Sequence, residues 1–160
     1  LWMHTDVQGM YAGSGADGLE WLCADAVAPF AGFTGFALTG EGSERWLVTT
    51  AEGIFMSRDG GCSFLRAPAP LTHETARALS QHPDRPAEVL VLTDTFDGVR
   101  APFLTLDGGE SWQQSRFIRG GILQELLRAR ANPEVIYMRQ DLHLSRSDDG
   151  GRSFSGSGRS

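Results

Sequence analysis

The side chains in this chain that could do chemistry are twenty carboxylates, four histidines and two cysteines. Two carboxyls held roughly 5–10 Å apart can cleave a glycosidic bond. Outside the motifs described below, the candidates are Asp6, Asp25, Glu74, Glu88, Asp94, Asp97, Glu125 and Asp141, and their spacing pairs none of them. His4, His73, His82 and His143 include no two at metal-ligand spacing, so neither a metal nor a cofactor is expected. Tyr11 and Tyr137 sit in apolar strand patterns and read as core aromatics. The segment Thr93-Asp94-Thr95-Phe96-Asp97-Gly98-Val99-Arg100 is the longest insertion within a repeating pattern. Such loops carry function more often than regular turns do. Asp94, Asp97 and Arg100 are therefore the candidate functional loop, with a plain solvated turn as the alternative.

Three further carboxylates recur in one setting. The segments are Ser57-Arg58-Asp59-Gly60-Gly61-Cys62-Ser63-Phe64, Thr105-Leu106-Asp107-Gly108-Gly109-Glu110-Ser111-Trp112 and Ser147-Asp148-Asp149-Gly150-Gly151-Arg152-Ser153-Phe154. They align without gaps as [ST]-x-D-G-G-x-S-[FW]. They start at 57, 105 and 147, so they lie 48 and 42 residues apart. A worn fourth copy, Ser14-Gly15-Ala16-Asp17-Gly18-Leu19-Glu20-Trp21, starts 43 residues before the first of these and keeps Ser14, Gly18 and Trp21.

The residue types in this box point to a hairpin held by its own side chains. A short Asp can accept hydrogen bonds from N–H groups in its turn. The second glycine, Gly61, Gly109 or Gly151, suits a positive φ that a Cβ would penalise. The Ser or Thr hydroxyl can tie the loop's entry to its exit, and the closing Phe64, Trp112 or Phe154 can enter the core. A calcium loop needs several spaced oxygen ligands, and one Asp per loop does not supply them.

The flanks repeat as well. Trp46–Thr50 and Ile54–Met56 precede the first intact box, Val89–Thr93 and Pro102–Leu104 the second, and Val135–Met138 and Leu142–Leu144 the third. Upstream strands at Arg77–Ser80 and Leu126–Ala129 complete a pattern of strand A, turn, strand B, turn, strand C, box, strand D. Ile122, Leu123, Leu126 and Leu127 have helical spacing, yet register with the other copies assigns them to a strand. A period of 42–48 fits a four-stranded β-propeller blade of about 40–50 residues. The fold class is thus all-β, a propeller of antiparallel blades. The expected blades are 1–26, 33–68, 76–117 and 122–154, with 155–160 a flexible tail. The first blade lacks strand A and the last stops where strand D should start, giving about three and a half blades. Propellers close with about 4–8, so the sequence predicts a piece of a larger propeller, closed by remaining blades or by a second copy. The opening Leu1-Trp2-Met3-His4 is neither a start methionine nor a signal peptide.

Bulk composition narrows the partners. The 160 residues are 41% hydrophobic and 21% charged, with a net charge of −6 and twenty glycines, which suits a turn-rich β protein. All fourteen cations are arginine and they are scattered. An acidic chain without a basic cluster is a poor nucleic-acid binder. No run of 18 apolar residues is present, so no membrane-spanning helix is expected.

The boxes resemble the Asp-box family, the bacterial neuraminidase repeat, through four copies along nearly the whole chain. The form with Asn132-Pro133-Glu134-Val135-Ile136-Tyr137 before it looks most like the xyloglucanase and photosystem-assembly-factor branches; sortilin-type receptors share the repeat. The resemblance implies boxes on the rim, away from any active centre, and carries no catalytic residue over. The Phe/Tyr-Arg-Ile-Pro signature of sialidases is absent, and Phe117-Ile118-Arg119 is no substitute. Members are often exported, which implies an extracytoplasmic location. Cys23 and Cys62 fall on consecutive blades, as a disulfide or as two buried thiols. The function expected is a non-catalytic module binding protein or glycan. The alternatives are a glycoside hydrolase fragment and an assembly or scaffold factor.

Overall fold

The computed structural model describes residues 2–6, 9–13, 20–21, 33–40, 44–94, 100–117, 123–141 and 143–156. Among these there is no helix; every regular element is a strand. The first sheet has three strands, β1 (Trp2–Asp6), β2 (Gly9–Gly13) and β3 (Glu20–Trp21), in that order.

The second blade runs β4 (Phe33–Leu38), β5 (Trp46–Thr50), β6 (Gly53–Ser57) and β7 (Leu65–Arg66). The third runs β8 (Thr75–Gln81), β9 (Val89–Asp94), β10 (Arg100–Thr105) and β11 (Gln113–Gln114). The fourth runs β12 (Leu123–Arg128), β13 (Ile136–Gln140), β14 (His143–Ser147) and β15 (Ser155–Gly156). Each of the three is a four-stranded antiparallel meander, with its strands side by side in chain order.

Val89–Leu92 of β9 are all apolar because both faces of the strand are buried. Leu90 and Leu92 turn toward the fourth blade and pack with Leu104, Leu123, Ile136, Met138 and Phe154. Val89 and Val91 alternate to the other face and pack with Ala37, Leu47, Ile54, Met56, Phe103 and Trp112. The core is therefore two seams between three stacked sheets. Leu71, fully buried between β7 and β8, helps close the first seam.

The first strand of each four-stranded blade carries a register shift at the same place: between Phe33 and Gly35, between Ala76 and Ala78, and between Leu123 and Glu125. This explains the helix-like spacing at 122–127. The shift leaves Leu123 buried and Leu126 packed against the same cluster, while Leu127 faces solvent. A strand survives although simple alternation is lost.

Two expectations need correction. Ser155 and Gly156, expected to open a flexible tail, form β15 and pair with Arg146 and Ser145 of β14. Asp94 and Arg100, expected within a long loop, are strand residues opposite one another in β9 and β10. The strands reach further than hydropathy suggested because the backbone ladder does not depend on apolar side chains. Asp97 lies outside the described residues, as do Ser14, Gly18 and Cys23.

Candidate functional site

The three intact boxes adopt one hydrogen-bonding scheme. In the first, the Ser57 hydroxyl donates to Asp59 Oδ1 at 2.8 Å and accepts from the Gly61 N–H at 2.8 Å. Asp59 Oδ1 also accepts the N–H groups of Cys62 and Ser63 at 3.1 and 2.9 Å, and Oδ2 accepts the Ser63 hydroxyl at 2.6 Å. In the second, Thr105 donates to Asp107 at 2.7 Å, Gly109 N–H to Thr105 at 2.8 Å, and Ser111 to Asp107 through N–H and hydroxyl at 2.9 and 2.5 Å. The third repeats this with Ser147, Asp149, Gly151 and Ser153 at 2.7, 2.9, 2.9 and 2.5 Å.

Each carboxylate is thus an acceptor hub, and this moves its acidity. Hydrogen bonds from the Ser63 hydroxyl and N–H hold Asp59 down at about 2. Burial would raise Asp107 and Asp149, but the Ser111 and Ser153 hydrogen bonds outweigh it and both lie below the usual range.

Both glycines of every box have positive φ, between 73° and 103°. The first donates its N–H to the carbonyl of the blade's own A–B turn: Gly60 to Glu44, Gly108 to Ala87, Gly150 to Glu134. The second meets the core. Gly61 lies on Trp46 of its own blade, Gly109 on Met56 and Leu47 of the preceding blade, and Gly151 on Leu90 of the preceding blade and Ile136 of its own. Trp112 and Phe154 are buried, while Phe64 is half-buried. The closing strand of the worn copy pairs with β2, with Trp21 opposite Tyr11.

A second polar constellation lies at the seam between the third and fourth blades. Glu88 is buried on the β8–β9 turn. It accepts Arg85 Nε at 2.9 Å and lies 3.5 Å from Arg128 Nη1. Arg128, 7% exposed, also donates to Pro133 O at 2.6 Å and to the Ser80 hydroxyl at 3.2 Å. Its burial pushes the guanidinium down and Glu88 pulls it back. Arg85 reaches on to Glu134 at 2.5 Å and holds that carboxyl below its usual range. The buried His82 accepts the N–H groups of Asp84 and Arg85 on Nδ1, which leaves its proton on Nε2, 3.7 Å from Glu134. Spacing along the chain gave no sign of this joint, because its members come from two turns and a strand.

Of the candidate loop residues, only the Asp94 side chain is among those described. Asp94 is ion-paired with Arg77 on the neighbouring β8. Further ion pairs join Arg58 to Glu110 between consecutive boxes, Arg139 to Glu125, and Arg146 to Asp148. Arg146 also lies over the Tyr137 ring, 6.0 Å from its centroid. Cys62 is disulfide-bonded. Among the described residues, no group of three or more His, Cys, Asp or Glu side chains could hold a metal. Among the described residues no helix is long and apolar enough to cross a membrane.

These sheets are blades of the β-propeller kind, as solved structures bear out. An ancestral GH74 enzyme superposes with a TM-score of 0.69 at 17% identity, over 94% of this chain and 21% of the enzyme. YCF48 bound to D1 peptide gives a TM-score of 0.57 at 16% identity over 80% of this chain and 42% of that one. YCF48 from Cyanidioschyzon merolae gives 0.59 at 13% over 84% and 40%. The chain therefore spans less than half the length of each of these proteins. No protein-family model matches the sequence, and no curated protein matches it.

Proposed function

We propose that this chain is a non-catalytic Asp-box propeller module of an exported or cell-envelope protein, and that it binds a protein or glycan partner. The observation that carries this reading is the engagement of the carboxylates. Asp59, Asp107 and Asp149 close hairpins, and Glu88 and Glu134 join two blades through Arg128 and Arg85. Groups held this way are scaffold and leave recognition to the surface between them. A protein of similar fold that binds a peptide adds support. The disulfide at Cys62 supports an oxidising compartment, with Cys23 as the proposed partner. The remaining blades, or a second copy, close the ring.

The similarity to a GH74 enzyme over 94% of the chain favours one alternative, a segment of a glycoside hydrolase. One experiment separates the two. The full-length natural protein is incubated with xyloglucan and with sialylated oligosaccharides, and both retention and product release are measured. The proposal expects no product that depends on these residues. Hydrolysis abolished by substituting a carboxylate of this chain would overturn it.

A further inference from the structure

We propose that the outer face of the fourth blade is an interface whose occupant is the first blade of a second copy of this chain, so that two copies close one ring. This deepens the reading above, in which the ring is closed from outside these residues, and rests on it.

The four sheets share one register, which makes their faces comparable position by position. Trp46 to Thr50 of β5 pair in turn with Ser57 back to Gly53. Trp2 to Asp6 of β1 pair in the same way with Gly13 back to Gly9. In the third and fourth blades Val89 and Ile136 hold the position of Trp46, each opposite the first residue of its box.

The fourth blade breaks the pattern on one face. Toward the following blade, the second presents Leu47, Thr49, Ile54 and Met56. At the same positions the third presents Leu90, Leu92, Pro102 and Leu104. All eight are buried. The fourth presents Tyr137, Arg139, Leu144 and Arg146 there. Strand β12 sets Glu125 opposite Arg139 and Leu127 opposite Tyr137. Three charges under an apolar sheet would cost desolvation. Yet Leu127 and Leu144 are 63% and 44% exposed on the same face. Tyrosine and arginine beside aliphatic groups are what protein interfaces gather. The face therefore suits a sheet that brings aromatic and acidic groups.

The first blade is such a sheet. Toward the preceding blade, the third presents Val89 and Val91, and the fourth Ile136 and Met138. In the first blade, register sets Trp2 and His4 at these positions. Asp6 follows where Thr93 and Gln140 stand. Between the third and fourth blades, Leu90 and Leu104 share a cluster with Ile136, and Leu92 with Met138. The same offset across the new seam brings Tyr137 and Arg146 to Trp2, and Arg139 to His4 and Asp6. A guanidinium stacks on an aromatic face. Arg139 gives only Nε to the exposed Glu125, at 3.2 Å. Five N–H groups let it fork onto a second carboxylate as well.

Symmetry and size fit. Four blades are half of a ring of about eight, within the usual range. A two-fold rotation about the channel then closes it and makes the contact twice. One face of four strands by five residues covers roughly 300 Å² of flat sheet. Two faces per copy come to roughly 600 Å², near the ~800 Å² per partner of a stable interface before side-chain relief is added.

The test is sedimentation equilibrium of the full-length natural protein and its variants, each checked for its fold by circular dichroism. The parent is expected to be a dimer. Arg139→Glu and Asp6→Arg should each raise the dimer dissociation constant about tenfold or more, as loss of a close charge pair across an interface does. The double variant, Asp6→Arg with Arg139→Glu, restores the pair with its signs exchanged and should recover most of the affinity. A merely structural role would give no such rescue. Arg58→Gln, at a seam within one copy, leaves the dimer unchanged. A monomeric parent, an Arg139→Glu dimer as tight as the parent, or a double variant no tighter than the singles would each overturn the proposal. A monomer that still binds a protein or glycan overturns this closure alone and leaves the binding reading intact.

Discussion

Gly109 of the second intact box stands against Met56 of the preceding blade, so closely that a Cβ there would lie 2.6 Å from the Met56 sulfur. The same glycine has φ +103°. Backbone conformation and inter-blade packing therefore demand glycine at one point. Gly109→Ala combines a left-handed cost of about 1–2 kcal/mol with overpacking of about 1–3 kcal/mol. Urea denaturation should show a loss of about 2–5 kcal/mol, whereas Ala at the exposed Glu110 should cost far less. Equal stability of the two variants would mean that the seam is looser than the structure has it.

The box carboxylates predict an acid dependence. Asp59 lies at about 2 in the folded protein against an ordinary 3.8, and Asp107 and Asp149 are also lowered. A lowered folded value means that the stabilisation is complete above the unfolded value. It is lost as pH falls through the folded one. Stability should decline from about pH 4 toward pH 2. Asp59→Asn should flatten part of that decline while lowering stability at neutral pH. A variant as steep as the parent would remove Asp59 from the acid response.

The buried joint predicts non-additive losses. Glu88→Ala leaves Arg128 unpaired in the interior, and breaking such a pair costs about 3–5 kcal/mol. The double variant Glu88→Leu, Arg128→Met removes both charges and should cost less than the sum of the singles. Strict additivity in a double-mutant cycle would show that the two charges do not interact.

The disulfide predicts a redox dependence. Alkylation of the native protein should modify neither Cys62 nor its proposed partner Cys23 until reductant is added. Reduction should then lower stability by about 2–4 kcal/mol. Mass measurement that finds two modified thiols without reductant would exclude the pairing.

What the sequence made legible was local. The box could be read from Ser57 to Phe64 because Asp, Gly and Ser act on their own turn, within four residues. The blade period followed from the recurrence of that turn. What escaped was non-local or irregular. The shift at Gln124 put Leu123 and Leu126 against one cluster and disguised a strand as a helix. Ser155 and Gly156 pair through backbone alone, which hydropathy does not register. The Glu88–Arg128 joint spans 40 residues, and the backbone bridge between Arg116 and Ser153 joins two blades. Neither relation has a periodic signature.

The central claim is that the box carboxylates are structural acceptors, each holding a hairpin shut. A carbon-detected NMR titration of the aspartate carboxyls tests it most directly. Asp59 should titrate at about 2, with Asp107 and Asp149 also below the ordinary value. Midpoints for all three at 3.8 or above would contradict the account, since carboxylates free to titrate normally could not be the acceptors that close these turns.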